Sequence, residues 1–173
     1  MAESKIYFKD NFFSAGITEI FNGNKQRIGS LDLKSAFTSS VDVLDKEQKV
    51  VSKGYFPFFS GKWVITDGLE MELGLLRQRF SFFTKKYEYE AKGCGIFTIE
   101  SEAFSREYEI FNEEGDKVAL FKKINGFFES PVYQLANESQ DLSNEEVIAM
   151  VMGVNMINKR NRKRNSSAGG GNH

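Results

Sequence analysis

The sequence predicts a mainly β domain, a sandwich or a barrel, wrapped around a buried hydrophobic helix near its C-terminal end. Three observations carry that expectation. From residue 5 to about 136, short β-prone runs alternate with turn residues. From Ser143 the hydrophobic period changes from that of a strand to that of a helix. That helix is apolar on every side, and a helix with no wet face has to be buried all round or lie in a membrane.

Four hairpins are legible. Ile17 to Phe21 leads through Asn22-Gly23-Asn24 into Arg27 to Leu33. Asn-Gly between two apolar runs is a strong hairpin signal, because both residues tolerate positive φ. Val41 to Leu44 turns through Asp45-Lys46-Glu47-Gln48 into Lys49 to Phe56, and Lys62 to Thr66 turns at Asp67-Gly68 into Glu70 to Leu76. Tyr108 to Phe111 turns through Asn112-Glu113-Glu114-Gly115 into Lys117 to Lys123. Arg79-Phe80-Ser81-Phe82, Tyr87-Glu88-Tyr89-Glu90 and Phe97-Thr98-Ile99-Glu100 alternate with period two, so each is expected to turn one face to the core and one to water. Closure into a barrel is the commoner way for such a sheet to avoid open edges.

The helix is bounded by its own signals. Ser143-Asn144-Glu145-Glu146 has the Ser-x-x-Glu form of a capping box. Acidic residues in the first turn, with Lys159 and Arg160 in the last, complement the helix dipole and place the helix at about 143–159. Its apolar stretch, Val147 to Ile157, rises about 16 Å against a hydrocarbon core of about 30 Å. Burial inside the domain is therefore expected over a membrane span. Gly153 lets a strand approach closely, and Met150, Met152 and Met156 suit irregular gaps in a barrel lumen.

A chain of 173 residues fits one domain, expected over 1–164, with the small and polar residues 165–173 as a disordered tail. The 14% aromatic content is unusual and favours pleated surfaces. The N-terminal MAESKIYFKD lacks the apolar stretch of a signal peptide, and no run is long enough to span a bilayer. With Cys94 as its single cysteine, the chain forms neither an internal disulfide nor a cysteine-based metal cluster. A cytoplasmic location is the expectation.

Several of these segments together resemble the tubby C-terminal-like superfamily, and within it the LURP-one-related family, relatives of phospholipid scramblases. Trp63-Val64-Ile65-Thr66-Asp67-Gly68 followed by Leu73-Gly74-Leu75-Leu76-Arg77 looks like that family's tryptophan strand, turn and next strand. Phe104-Ser105-Arg106-Glu107-Tyr108-Glu109-Ile110, then Gly115 and Val118-Ala119-Leu120-Phe121-Lys122-Lys123, is similar to its hairpin ending in a basic pair, with Tyr133 in the next strand. Glu146 to Ile157 looks like its central helix. The resemblance implies a closed twelve-stranded antiparallel barrel with the C-terminal helix through its middle. It implies no chemistry, and the Cys-rich and Pro-rich extensions associated with scramblases are absent.

Catalysis has little to work with. His173 is the single histidine, at the end of a Gly-rich tail, and Cys94 between Gly93 and Gly95 has no histidine partner to activate it. No nucleotide-binding glycine motif or nucleophile elbow occurs. Glu88, Glu90, Glu100, Glu102, Glu107 and Glu109 alternate with aromatic residues and read as a solvated outer face, with Lys85-Lys86 and Lys122-Lys123 available for cross-strand pairing. No catalytic residue, cofactor or metal is expected.

Charge is the one unusual polar feature. The net charge is −1, yet no acidic residue follows Glu146, and Lys159, Arg160, Arg162, Lys163 and Arg164 fall within six positions. Without those five, 18 basic residues face 24 acidic ones, a balance of −6. Such a cluster suits anionic lipid or the phosphates of nucleic acid, while a helix end followed by a solubilising tail accounts for the same residues. The run Tyr55-Phe56-Pro57-Phe58-Phe59 and the pair Phe127-Phe128 suit a rim that touches a membrane or partner, and barrel packing accounts for them as well. The expected function is a non-enzymatic binding or regulatory module, peripheral at the inner face of a membrane, with anionic phospholipid as partner. The alternative is a protein-interaction module of unknown partner, with enzyme activity a distant third; nucleic acid is not the expected partner.

Overall fold

Each of the four turn signals sits between two paired strands, and the four share one geometry. Asn22, Asp45, Asp67 and Asn112 each accept, through a side-chain oxygen, the backbone N–H four residues on, at 2.8–3.0 Å. The residue three positions on donates its N–H back to the carbonyl of the same Asn or Asp. In every case that residue, Lys25, Gln48, Glu70 or Gly115, holds the left-handed φ. This is a turn followed by a left-handed bulge residue, and the strand register shifts beside each one. Positive φ in the first turn therefore falls on Lys25, and not on the Asn22-Gly23 pair the sequence singled out.

The computed structural model describes residues 4–34, 40–102 and 105–169. Among them run twelve strands: β1 (Ser4–Lys9), β2 (Gly16–Asn22), β3 (Arg27–Leu33), β4 (Ser40–Asp45), β5 (Val50–Tyr55), β6 (Trp63–Asp67), β7 (Glu72–Arg79), β8 (Lys85–Ala91), β9 (Gly95–Ser101), β10 (Tyr108–Phe111), β11 (Lys117–Ile124) and β12 (Val132–Asn137). Each pairs antiparallel with its neighbours in sequence, and β1 closes the ring on β12 from Ser4↔Asn137 to Lys9↔Val132. The expected closed antiparallel barrel is what forms. No edge is left over to recruit another strand.

The helix α1 (Asn144–Ala168) runs through the lumen, and its residues from Glu146 to Ile157 are all buried. Ser143 caps it, its Oγ accepting the Glu146 N–H at 3.1 Å. It continues past the expected end near Lys159, so Lys159 and Arg160 lie in mid-helix and not in the last turn. The reason is local: between Gly153 and Gly169 no Gly or Pro interrupts the chain. Four of the residues expected in a disordered tail, 165–168, are helical; 170–173, with His173, lie outside the described residues.

Trp63 fixes the depth of the helix. Its Nε1 donates to the Ala149 carbonyl at 3.0 Å, and its ring lies between two glycines. A Cβ at Gly153 of α1 would sit 2.4 Å from Trp63 Cδ1, and one at Gly54 of β5 would sit 2.5 Å from Cζ2. Phe56 meets the same indole edge-on, with centroids 5.0 Å apart. The glycines let a fully buried indole pass between wall and plug.

Successive strands reverse, so the connections fall into two sets. The turns 23–26, 46–49, 68–71, 92–94 and 112–116 lie at the end where the helix enters, beside Ser4 and Asn137, both of which hydrogen-bond Asn144. The loops 56–62, 80–84, 102–107 and 125–131 start from the opposite end, where the helix leaves. Residues 80–84 were expected in part as strand, through the alternation Arg79-Phe80-Ser81-Phe82. The wall ends first: the last β7–β8 pair is Arg79↔Lys86, and the phenylalanines extend beyond it. Phe104 of the resemblance lies outside the described residues.

Candidate functional site

The exit mouth is built where α1 leaves the lumen. Asn158 Oδ1 accepts the Tyr87 hydroxyl at 2.6 Å. Arg160 Nη1 donates to the Ser60 carbonyl at 2.6 Å, and its guanidinium lies 4.0 Å from the centre of the Phe56 ring. Asn161 donates to Gln78 at the end of β7. The emerging helix is thus seated between the β5–β6 loop and the start of the β7–β8 loop, by polar contacts and a cation–π contact.

Seating the helix divides the five candidate cations. Arg160 is half-buried and engaged with the rim, so it acts as a clamp. Lys159, Arg162, Lys163 and Arg164 are exposed. At about 100° per residue, Lys159, Arg162 and Lys163 share one face about 100° wide, and Arg164 continues from it. Arg162 is close enough to Tyr87 and Tyr108 for its charge to pull against the upward pressure of burial on both phenols; Tyr108 still ends pushed up to about 12. The cations are carried within the helix, where the sequence reading expected a helix end.

Five phenylalanines flank this helix end. Phe58 and Phe59 in the β5–β6 loop and Phe80, Phe82 and Phe83 in the β7–β8 loop are 83–95% exposed. Their ring contacts are with each other: 4.2 Å for Phe58–Phe59, 4.9 Å for Phe80–Phe82 and 6.5 Å for Phe82–Phe83. Neither loop contains an acidic residue. Phe58 and Phe59 stand at the rim as expected, whereas Phe56 is turned in against Trp63. Phe80, Phe82 and Phe83 were missed, because an alternating Phe pattern reads as a half-buried strand.

Other predicted residues are elsewhere. Phe127 stacks on Tyr7 at 3.7 Å and Phe128 meets Phe21 edge-on at 5.1 Å, so the pair lies on the outer wall and not at the rim. Phe12 and Phe13, in the β1–β2 loop, turn inward onto Phe121 and Tyr133 and are buried there. The strand carboxylates behave as a paired outer face: Arg77 and Arg79 meet Glu88, Lys86 meets Glu100 at 2.6 Å, and Lys117 meets Glu109 at 3.1 Å. Of the basic pairs, Lys123 is drawn instead to Asp10 at 2.7 Å, which raises its pKa. Cys94 is exposed in the β8–β9 turn at the opposite, entry end.

Two concavities among the described residues lie on the outer wall. One, of about 520 Å³, is lined by Lys34, Asp42, Lys53, Tyr55, Thr66 and Glu70, but its cations are already neutralised by Asp32, Asp42 and Glu70. The other, of about 390 Å³, is lined by Glu100, Glu102, Glu107 and Glu109 with Thr84, Ser101 and Ser105. Among the described residues no group of three or more His, Cys, Asp or Glu is placed to hold a metal ion. Among them, too, no helix is long and apolar enough to cross a membrane.

No family model and no curated protein matches the chain. In structure it is similar to a protein from Arabidopsis thaliana solved by X-ray crystallography, with a TM-score of 0.57 over 92% of each chain. The two share a fold. In this chain that fold is twelve antiparallel strands closed around one C-terminal helix. At 11% identity the likeness carries architecture and no chemistry.

Proposed function

We propose that the protein is a non-enzymatic binding or regulatory module, of the LURP-one-related kind, that associates with anionic lipid at the inner, cytoplasmic face of a membrane. The observation that carries this reading is the exit mouth, where Lys159, Arg162, Lys163 and Arg164 stand out on the helix beside the β5–β6 and β7–β8 loops, which hold no acidic residue. Near an anionic surface each such cation contributes about 1 kcal/mol. Four together correspond to a dissociation constant of about 1 mM, a weak and reversible association. Without those four cations the rest of the chain holds 19 basic and 24 acidic residues, a balance of −5, which disfavours attraction of the remaining surface to an anionic membrane.

Vesicle sedimentation tests the reading. The protein is expected to pellet with vesicles containing phosphatidylserine and not with pure phosphatidylcholine, and added salt should release it by screening. Equal, negligible pelleting with both would contradict it. A protein-interaction module is the alternative; a partner that co-purifies equally well after removal of residues 159–173 would support it instead.

A further inference from the structure

We infer that the two phenylalanine loops at the exit mouth are membrane-inserting elements: Phe58 and Phe59, with Phe80, Phe82 and Phe83, enter an anionic bilayer below its headgroups and stand the barrel mouth-down on the surface. This rests on the membrane reading above and adds to it the depth, the orientation and the residues of contact.

Four observations support it. All five side chains are more than four-fifths exposed, although the core of the same chain buries Phe8, Phe12, Phe97 and Phe121. Scattered exposed apolar residues need no explanation, but five rings on two loops at one mouth form a patch. Phe59 also holds a left-handed φ of 59°, a strained conformation for a bulky residue, and gains no burial of its ring in return. The two neighbouring loops start where the wall ends, beside the helix that Arg160 and Asn161 tie to Ser60 and Gln78, so rings and cations share one end of the molecule. An apolar wedge beside exposed Lys and Arg is the composition of an interfacial membrane anchor. Electrostatic attraction alone is weak, and stable attachment generally takes a second signal.

The same arrangement disfavours a second copy of the chain as occupant. A two-fold interface brings the same patch against itself, which would gather two sets of the same cations into one interface. An anionic lipid surface meets both halves of the patch, rings and charges, with complementary chemistry.

The native Cys94 at the entry end supplies a control for the test. An environment-sensitive dye is attached at Cys94 in one protein, and at residue 82 of a Cys94→Ser, Phe82→Cys protein in the other. Both are mixed with phosphatidylserine/phosphatidylcholine vesicles and their pelleting is followed alongside. The dye at 82 is expected to shift to the blue and be quenched by spin-labelled acyl chains, while the dye at 94 stays in water. In parallel, Phe58→Ser/Phe59→Ser and Phe80→Ser/Phe82→Ser/Phe83→Ser are each expected to weaken partitioning roughly tenfold or more without loss of folding. Pelleting with an unshifted dye at 82, or Ser variants that bind as wild type, would overturn insertion and leave electrostatic docking standing. Failure of both labelled proteins to pellet would overturn the two readings together. A dimer in sedimentation velocity that the Ser substitutions dissolve would assign the patch to a second copy and overturn insertion.

Discussion

Gly153 and Gly54 are small because Trp63 is large. A methyl group at either position would be forced into the indole at 2.4–2.5 Å, and the ring cannot retreat while Nε1 stays bonded to Ala149. Gly153→Ala is therefore expected to destabilise the fold by about 1–3 kcal/mol or more, despite the better helix propensity of alanine. Urea denaturation would measure it, and wild-type stability in that variant would contradict the packing. Glu146 gives a second single-residue test. It lies inside the barrel mouth at the helix entry, accepting the Tyr89 hydroxyl at 2.5 Å, and burial raises its pKa above the ordinary 4.5. The native state therefore holds this proton more tightly than the unfolded chain does. Its contribution to stability is greatest below the unfolded value and falls as pH rises from about 4.5 through the folded value. Glu146→Gln removes that loss, so the stability of the variant relative to wild type should increase between pH 4.5 and neutrality. A difference independent of pH would contradict the desolvation.

At the scale of elements, strand and turn positions were open to reading from sequence because period-two patterns and Asn/Asp turn chemistry are local signals. What they concealed was which turn residue bears the strain. The Asn22-Gly23 pair suggested positive φ there, yet the bulge geometry moves it to Lys25 at φ 61°. Lys25→Gly is expected to stabilise by about 0.5–1 kcal/mol, and Gly23→Ala, whose Cβ would meet nothing within 4 Å, to be close to neutral. Thermal or urea unfolding decides between the two turn geometries: a destabilising Gly23→Ala with a neutral Lys25→Gly would restore the tighter hairpin. The β7–β8 loop misled for another reason. Alternation continues into Phe80 and Phe82, and nothing in a single strand's pattern states where the wall of a barrel ends. The helix end was misplaced because charge placement is a weaker stop signal than a Gly or Pro, and none arrives before Gly169.

For the whole molecule, the threaded barrel is what makes a site at the mouth. A helix buried from Glu146 to Ile157 has one course through the lumen, so the residues that follow must leave at the end bearing the loops 56–62 and 80–84. The basic cluster was plain in the sequence; its company was not, because Phe58 and Arg162 are about a hundred positions apart and only closure of the ring brings them to one end. Arg160 was legible as a cation and not as a clamp, since its partners Phe56 and Ser60 belong to a loop far back in the chain. The most direct measurement compares wild type with a Lys159→Gln/Arg162→Gln/Lys163→Gln/Arg164→Gln variant for partition onto phosphatidylserine-containing vesicles at low and high salt. Docking through the mouth predicts that the variant binds up to roughly a thousandfold more weakly at low salt and loses most of its salt dependence. Equal partition of the two proteins, with equal response to salt, would contradict it.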